Sequence, residues 1–357
     1  MSIDYDVIDG VLRAHNENAI SSYCRVHLMY RSDFNMPVKV DDGVKSCSSM
    51  FRDCSNFNYP VDIPDSVTDC KLMFKNCEKL NSPIKLSKSA TNCDSMFLNC
   101  KEFNQPVVLT ENIVFARNMF SGCFSFNQPV TLPESLIHCT SMFAFCKSFN
   151  QSVRIPENVR NITNMFVHCY SLNSEIILHD KITECNNALA YCSSFNTRIK
   201  LPYEMKHCYN MMFNCGSYNH ILLIHSSLKP DDIQTIALHI RKPVIINNKD
   251  RSVTDDALKC LNANNRFIFT KNYIILISNE TKLGDDFSLM VDDLGDDKEI
   301  IVEIFDALIP FATENNEHQF LLQFIDYKNQ NNLYGDIETA IKNKFNLDDD
   351  DGETNLF

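Results

Sequence analysis

Apolar residues return along this chain every 23 positions between residues 34 and 224, and the polar residues between them keep the same step. The row that marks each return is Phe34, Phe57, Leu80, Phe103, Phe126, Phe149, Leu172, Phe195 and Tyr218, and every member is followed by Asn. Counting from that residue as zero, a second apolar row stands at plus four, from Val38 to Leu222, and a third at plus six, from Val40 to Ile224. An apolar step of two, rich in β-branched residues and Leu, predicts a short strand with one buried face. Nine returns without an insertion predict one unit stacked on itself, each turn adding a rung to a parallel sheet.

Beyond the strand the apolar positions spread out to plus 10, 13, 16, 17 and 20, with Met-Phe pairs from Met50-Phe51 to Met165-Phe166 at plus 16 and 17. Spacings of three and four suit a helical turn, so the back of the unit is expected to be a short α or 3₁₀ segment.

The cysteines keep the same step. Eight, from Cys54 to Cys215, stand at plus 20; six stand at plus 13, where Ala116 and Ile162 take the two remaining places. A slot that accepts Ala and Ile calls for a small or medium apolar group, which a free thiol is. No CxxC pair occurs, and a tetrahedral zinc site would not survive Ala and Ile on alternate rungs. Rungs about 5 Å apart leave disulfides open as an alternative. The first residues carry no basic stretch followed by an apolar one, so the expectation is a reduced chain in the cytoplasm.

The Asn after each marker residue is read as a structural ladder, its amide bonding backbone groups of its own and neighbouring rungs. Pro37, Pro60, Pro83, Pro106 and Pro129 stiffen the entry to the strand on the early rungs, whereas Ser152, Glu175 and Arg198 take that place later.

Written out, the unit is CxxFNxPVxLPxxVxxCxxMFxxC, as in Cys123, Phe126-Asn127, Pro129-Val130, Cys139, Met142-Phe143 and Cys146. It resembles the leucine-rich repeats of the BspA-like or Treponema pallidum type over residues 34 to 224. One extra residue precedes the strand, in the Asn127-Gln128-Pro129 block and its equivalents, and this block also resembles the Phe-Asn-x-Pro repeats of some protist and giant-virus proteins. The resemblance implies an α/β solenoid, a right-handed coil with a parallel sheet and short back-side helices, and a role in binding or adhesion.

Four regions follow: an N-terminal cap over residues 1–33, in which Tyr5 to Ala19 is expected to be helical; the repeats over 34–224; a mixed α+β domain over 225–347; and an acidic tail over 348–357 read as disordered. In the third region helices are expected at 230–240, 253–262, 299–311, 318–325 and 336–345, a strand at 244–246, and a hairpin over 267–277 turning at Lys271-Asn272. The charge is divided unevenly. Residues 225–357 hold 13 Lys and Arg against 25 Asp and Glu, which supplies −12 of the chain's net −13.

That balance argues against a nucleic-acid partner, which requires clustered cations. No run of about 20 apolar residues is present to span a membrane. Eight glycines form neither GxGxxG nor GxxxxGK, and the Asp-rich stretches 283–286 and 292–297 miss the EF-hand spacing, so no cofactor, metal or catalytic residue is expected.

Slots that stay fixed from rung to rung serve the stack, and slots that vary are free for something else. At plus five, between the two buried strand residues, stand Asp62, Lys85, Val108, Thr131, Arg154, Ile177 and Lys200; at plus two stand Gln105, Gln128 and Gln151. Strand alternation turns the plus-five row outward, and these ten residues are the candidate surface for a protein partner. The alternative left open is a structural or adhesive component of a phage or giant-virus particle, anchored through the C-terminal domain.

Overall fold

The computed structural model describes residues 4–19, 21–23, 30–224, 228, 235–236, 242–247, 265–270, 273–278, 281, 283 and 287–331. Cys24 and Cys260, the expected helices at 253–262 and 336–345, most of that at 230–240, the turn at Lys271-Asn272 and the acidic tail lie outside them.

The chain opens with a hairpin, not the helix expected over Tyr5 to Ala19. Strand β1 (Tyr5–Ile8) pairs antiparallel with β2 (Val11–Ala14), Ile8 opposite Val11. The two residues between them, Asp9 and Gly10, have φ of 50° and 76°. Positive φ at both central positions is the I′ geometry that matches strand twist, and Asp-Gly is its strongest sequence signal. Strand β2 then pairs in parallel with β3 (Val38–Val40), placing Leu12 beside Val38 and Ala14 beside Val40. With both Leu12 and Ala14 fully buried, the hairpin covers the first rung as an extra strand would.

In the repeats the plus-four and plus-six rows are buried, apart from the half-buried Leu178, and the markers are fully buried. The strand ladder is short and interrupted. Parallel pairs form between β4 (Val61–Asp62) and β5 (Ile84–Lys85), and between β6 (Val153–Arg154) and β7 (Ile176–Ile177). Two stacks of rings fill the interior: Phe74, Phe97, Phe120, Phe143 and Phe166 follow one another at 5.6–5.7 Å within 7° of parallel. Beside them Phe103, Phe126 and Phe149 stack at 6.1 Å. Each such pair contributes about 0.5–1.5 kcal/mol beyond the area it buries.

The back of the unit corrects the helical expectation. Its amides alternate between two kinds of partner: Ser49, Phe51 and Asp53 donate to Lys71, Met73 and Lys75 of the next rung, whereas Met50, Arg52 and Cys54 donate three residues back within their own. Alternation of this kind needs left-handed residues, and each rung has them at plus 15 and plus 19, as in Ser49 (57°) and Asp53 (64°). Apolar spacing of three and four is met here by linked turns whose cooperation runs between rungs rather than along the chain.

After the last rung the sheet continues. Strand β8 (Leu222–Ile224) pairs in parallel with β9 (Val244–Asn247), which pairs antiparallel with β11 (Tyr273–Ser278); β11 pairs in turn with β10 (Asn265–Phe269), giving the order β10-β11-β9-β8. Among the described residues three helices pack on this end: α1 (Phe287–Leu294), for which the sequence reading gave no element, α2 (Lys298–Glu314) and α3 (His318–Gln330). Asp297 caps α2, accepting from the amides of Glu299 and Ile300. Phe287, Phe305, Phe320 and Phe324 form the core between the helices. Among the described residues no helix is long and apolar enough to cross a membrane.

Candidate functional site

Alternation in the strand puts the plus-five row outside, as the sequence pattern requires. Asp62, Lys85, Val108, Thr131, Arg154, Ile177 and Lys200 are all exposed, Val108 at 81% and Ile177 at 44%. Lys39 begins the row and is exposed; Leu223 ends it, packed against the C-terminal core. The row passes two shallow grooves. One, of about 600 Å³, lies among Lys39, Asp62, Pro64, Asp65 and Lys85; the other, of about 400 Å³, among Arg154, Glu157, Ile177, His179 and Lys181.

Two of the cations are held in place. The Arg154 guanidinium donates to Glu134 at 2.7 Å, and Lys200 lies 3.3 Å from Asp180. Both acids stand at plus eight of the preceding rung, a partnership the sequence shows as charges recurring at plus five and plus eight but one that was not foreseen. Arg154, bonded to the exposed Glu134 carboxylate, holds that carboxyl below its ordinary value. Lys39, Asp62 and Lys85 make no ion pair among the described residues, so alternating charges at the N-terminal end of the row face solvent.

The plus-two residues are placed differently. Gln105, Gln128 and Gln151 turn their amides back onto the asparagine ladder, each donating to the Oδ1 of the Asn on the rung before, Asn81, Asn104 and Asn127, at 3.3, 3.2 and 3.0 Å. The same Oδ1 atoms accept the backbone amide of the next Asn at 2.8–2.9 Å. The glutamines therefore sit within the stack's own hydrogen bonding, beside the plus-five row but not projecting with it.

All fourteen ladder cysteines are free and buried. Burial pushes the Cys139, Cys185 and Cys215 thiols up to about 12, which keeps them in the less nucleophilic thiol form at neutral pH. Among the described residues no group of His, Cys, Asp and Glu is arranged to hold a metal ion.

At the far end of the array His220 and Asp293 join the last rung to α1. Asp293, buried, accepts from the Ile221 amide at 2.7 Å and lies 3.0 Å from His220 Nδ1, while Arg198 donates to its backbone carbonyl at 2.8 Å. Burial raises the Asp293 carboxyl above its ordinary value, against the pull of the Ile221 amide and His220.

Among the comparisons with known proteins, the family match falls on the repeats. Residues 45–156, 109–201 and 134–222 each match the family model described as a Mycoplasma protein of unknown function, DUF285. That family is a BspA-like repeat family. The chain is also similar to the T. pallidum leucine-rich repeat protein, at 21% identity over 54% of this chain and 86% of that one, with a TM-score of 0.41. A leucine-rich repeat protein from Bacteroides ovatus is 16% identical over 68% of this chain and 70% of that one, with a TM-score of 0.45. No curated protein matches the chain.

Proposed function

We propose that this chain is a non-enzymatic recognition scaffold that binds a protein partner along its plus-five row. The observation that carries this reading is a contrast between neighbouring positions of one strand. At plus four and plus six the side chains stay apolar on every rung and are buried on all of them except at the half-buried Leu178, while at plus five they run through Asp62, Lys85, Val108, Thr131, Arg154, Ile177 and Lys200. The stack does not fix the outer row, and Val108 and Ile177 expose apolar surface within it.

Physically, the scaffold contributes preorganisation. The row is fixed by rung-to-rung hydrogen bonds and by the Glu134 and Asp180 clamps before a partner arrives, which lowers the ordering cost of association. The free thiols at plus 13 and plus 20 suit a reducing compartment.

The test begins with capture from the native source under reducing conditions, using the full chain, to obtain the partner. Binding is then measured for the wild type and for Lys85→Glu with Arg154→Glu. Both residues are exposed, so the melting temperature should hold, with less than about 1 kcal/mol lost from the Arg154 pair. Affinity should fall at least tenfold; unchanged affinity rejects this face.

A further inference from the structure

A second surface is built where the stack departs from its own rule. Every rung needs a left-handed residue at plus 19, and Asp53, Asn76, Asn99, Gly122 and Asn214 are the types that adopt this conformation readily. On three successive rungs the slot holds Phe145, His168 and Tyr191 instead, at φ of 61°, 61° and 63°. Bulky side chains are disfavoured there, and where such residues persist in a fold they commonly serve function rather than stability. The rings form a ladder on the surface: Phe145 and His168 stack at 4.6 Å, His168 and Tyr191 at 4.3 Å, and Phe145 remains 43% exposed.

Neighbouring slots change with it. From plus 18 to plus 22 the first three rungs carry Arg52, Asp53, Lys75, Glu78, Lys79, Lys101 and Glu102, whereas the next four read Ser121–Ser125, Ala144–Ser148, Val167–Ser171 and Ala190–Ser194, with Lys147 their one charge. Tyr170, exposed, places its hydroxyl 3.0 Å from His168 Nδ1, and Lys147 lies over the Phe124 ring at 4.1 Å. The same backbone thus carries a charged surface on one half and an aromatic one on the other.

We infer that Phe145, His168, Tyr170 and Tyr191, with Phe124 and Lys147 beside them, form a docking surface for an extended, proline-rich segment of a partner protein. Stacking uses the ring faces and turns outward the ring edges, which carry partial positive charge. To these the surface adds N–H and O–H donors from His, Tyr and Lys side chains, and no carboxylate stands among its slots. The complementary chain is rich in acceptors and poor in donors. A polyproline II segment offers solvated carbonyls and apolar ring surface, and its prolines have no N–H to leave unpaired. Its residues i and i+3 stand about 9.3 Å apart. Phe124 and Tyr170, two rungs apart in one slot, have a spacing of about 9.6 Å at the usual strand separation. An acidic segment would meet one lysine here and a chain of net charge −13 overall.

The test is fluorescence anisotropy on the full chain with three labelled ten-residue peptides: all-proline, Gly-Ser and Glu-rich. The all-proline peptide should bind at least tenfold tighter than either of the others. Phe145→Asn and Tyr191→Asn should each weaken it about tenfold while the melting temperature holds or rises, because Asn is what the same slot carries at Asn76, Asn99 and Asn214. Lys85→Glu with Arg154→Glu should leave it unchanged, which separates this surface from the plus-five row. Equal binding of the proline and Gly-Ser peptides, tighter binding of the Glu-rich one, or Asn variants that bind like wild type would each overturn the inference. So would a fall in melting temperature that tracks the lost binding, since the rings would then serve the stack.

Discussion

The thiol of Cys100 lies 3.0 Å from the carbonyl oxygen of Phe74 on the preceding rung and donates to it. That carbonyl already accepts the amide of Cys77 at 3.0 Å, so the thiol takes its second lone pair. The same bond recurs from Cys77 to Phe51, Cys123 to Phe97, Cys146 to Phe120, Cys169 to Phe143, Cys192 to Phe166 and Cys215 to Leu189, at 3.0–3.1 Å. At plus 13 the contact is looser, with Cys139 Sγ 3.9 Å from the Asn161 carbonyl.

This difference explains why Ala116 and Ile162 replace Cys at plus 13 whereas plus 20 is Cys on all eight rungs. Cys100→Ala removes a buried donor as well as volume and should cost about 1–2 kcal/mol. Cys139→Ala removes volume and only the long contact to the Asn161 carbonyl, and should cost less than about 1 kcal/mol. Urea unfolding of the two variants checks the order; equal losses would show that both rows act only as packing.

Asn127 Oδ1 accepts from the Asn150 amide at 2.8 Å and from Gln151 at 3.0 Å. Asn127→Ala leaves the Asn150 amide without that acceptor and should destabilise the array by about 1–2 kcal/mol. Gln151→Ala removes only the auxiliary donor, and its effect should stay within about 0.5 kcal/mol. Thermal melts of both single variants and the double one would reveal the shared acceptor as a loss smaller than the sum of the parts.

Both ring nitrogens of His220 face oxygens, Nδ1 toward Asp293 and Nε2 toward the Asn196 carbonyl, each at 3.0 Å. The Asp293 carboxyl is raised above its ordinary value by burial. A raised acid binds its proton more tightly folded than unfolded, so its contribution is present below the ordinary carboxylate pKa and lost as pH rises through the folded value. Stability should therefore decline over that interval in the wild type, and Asp293→Asn should flatten the decline. Melting temperatures measured from pH 4 to pH 8 decide it: superimposable profiles for the two proteins would show that the pair exchanges no proton on unfolding.

Gly10 holds φ of 76° in the two-residue turn of the N-terminal hairpin, with nothing within 4 Å of where a Cβ would stand. Gly10→Ala should thus cost the left-handed penalty alone, about 1 kcal/mol. Removing the hairpin is a larger change, because Leu12 and Ala14 cover the first rung. Hydrogen exchange should show protection at β3 reduced in the glycine variant and lost in a chain that begins at residue 30.

Which side chains face inward was legible in the repeats because the comparison is internal. Nine copies of one unit separate the fixed rows from the plus-five row without a second sequence, and the structure buries the fixed rows except at the half-buried Leu178 and exposes the plus-five row from Lys39 to Lys200. The asparagine ladder was legible for the same reason. At the N terminus Asp9-Gly10 is a two-residue hairpin signal that the helix expected over Tyr5 to Ala19 passed over. Helix α1 was missed because the stretch 292–297 was weighed only as a calcium loop, although Asp293 is buried against His220.

The sequence by itself determined the period, the buried rows and the outward strand row, because each follows from a residue's place in a repeated unit. Only the tertiary structure decided which backbone groups those side chains serve. Plus-20 thiols and plus-13 thiols have similar size and burial, and what separates them is a carbonyl 26 residues earlier in the chain. Gln105, Gln128 and Gln151 look as free in the sequence as Lys85 does, yet they bond to asparagines one rung away. The back of the unit follows the same physics: apolar spacing fixes which residues turn inward, whereas the choice between helix and linked turns depends on whether amides find partners along the chain or across to the next rung.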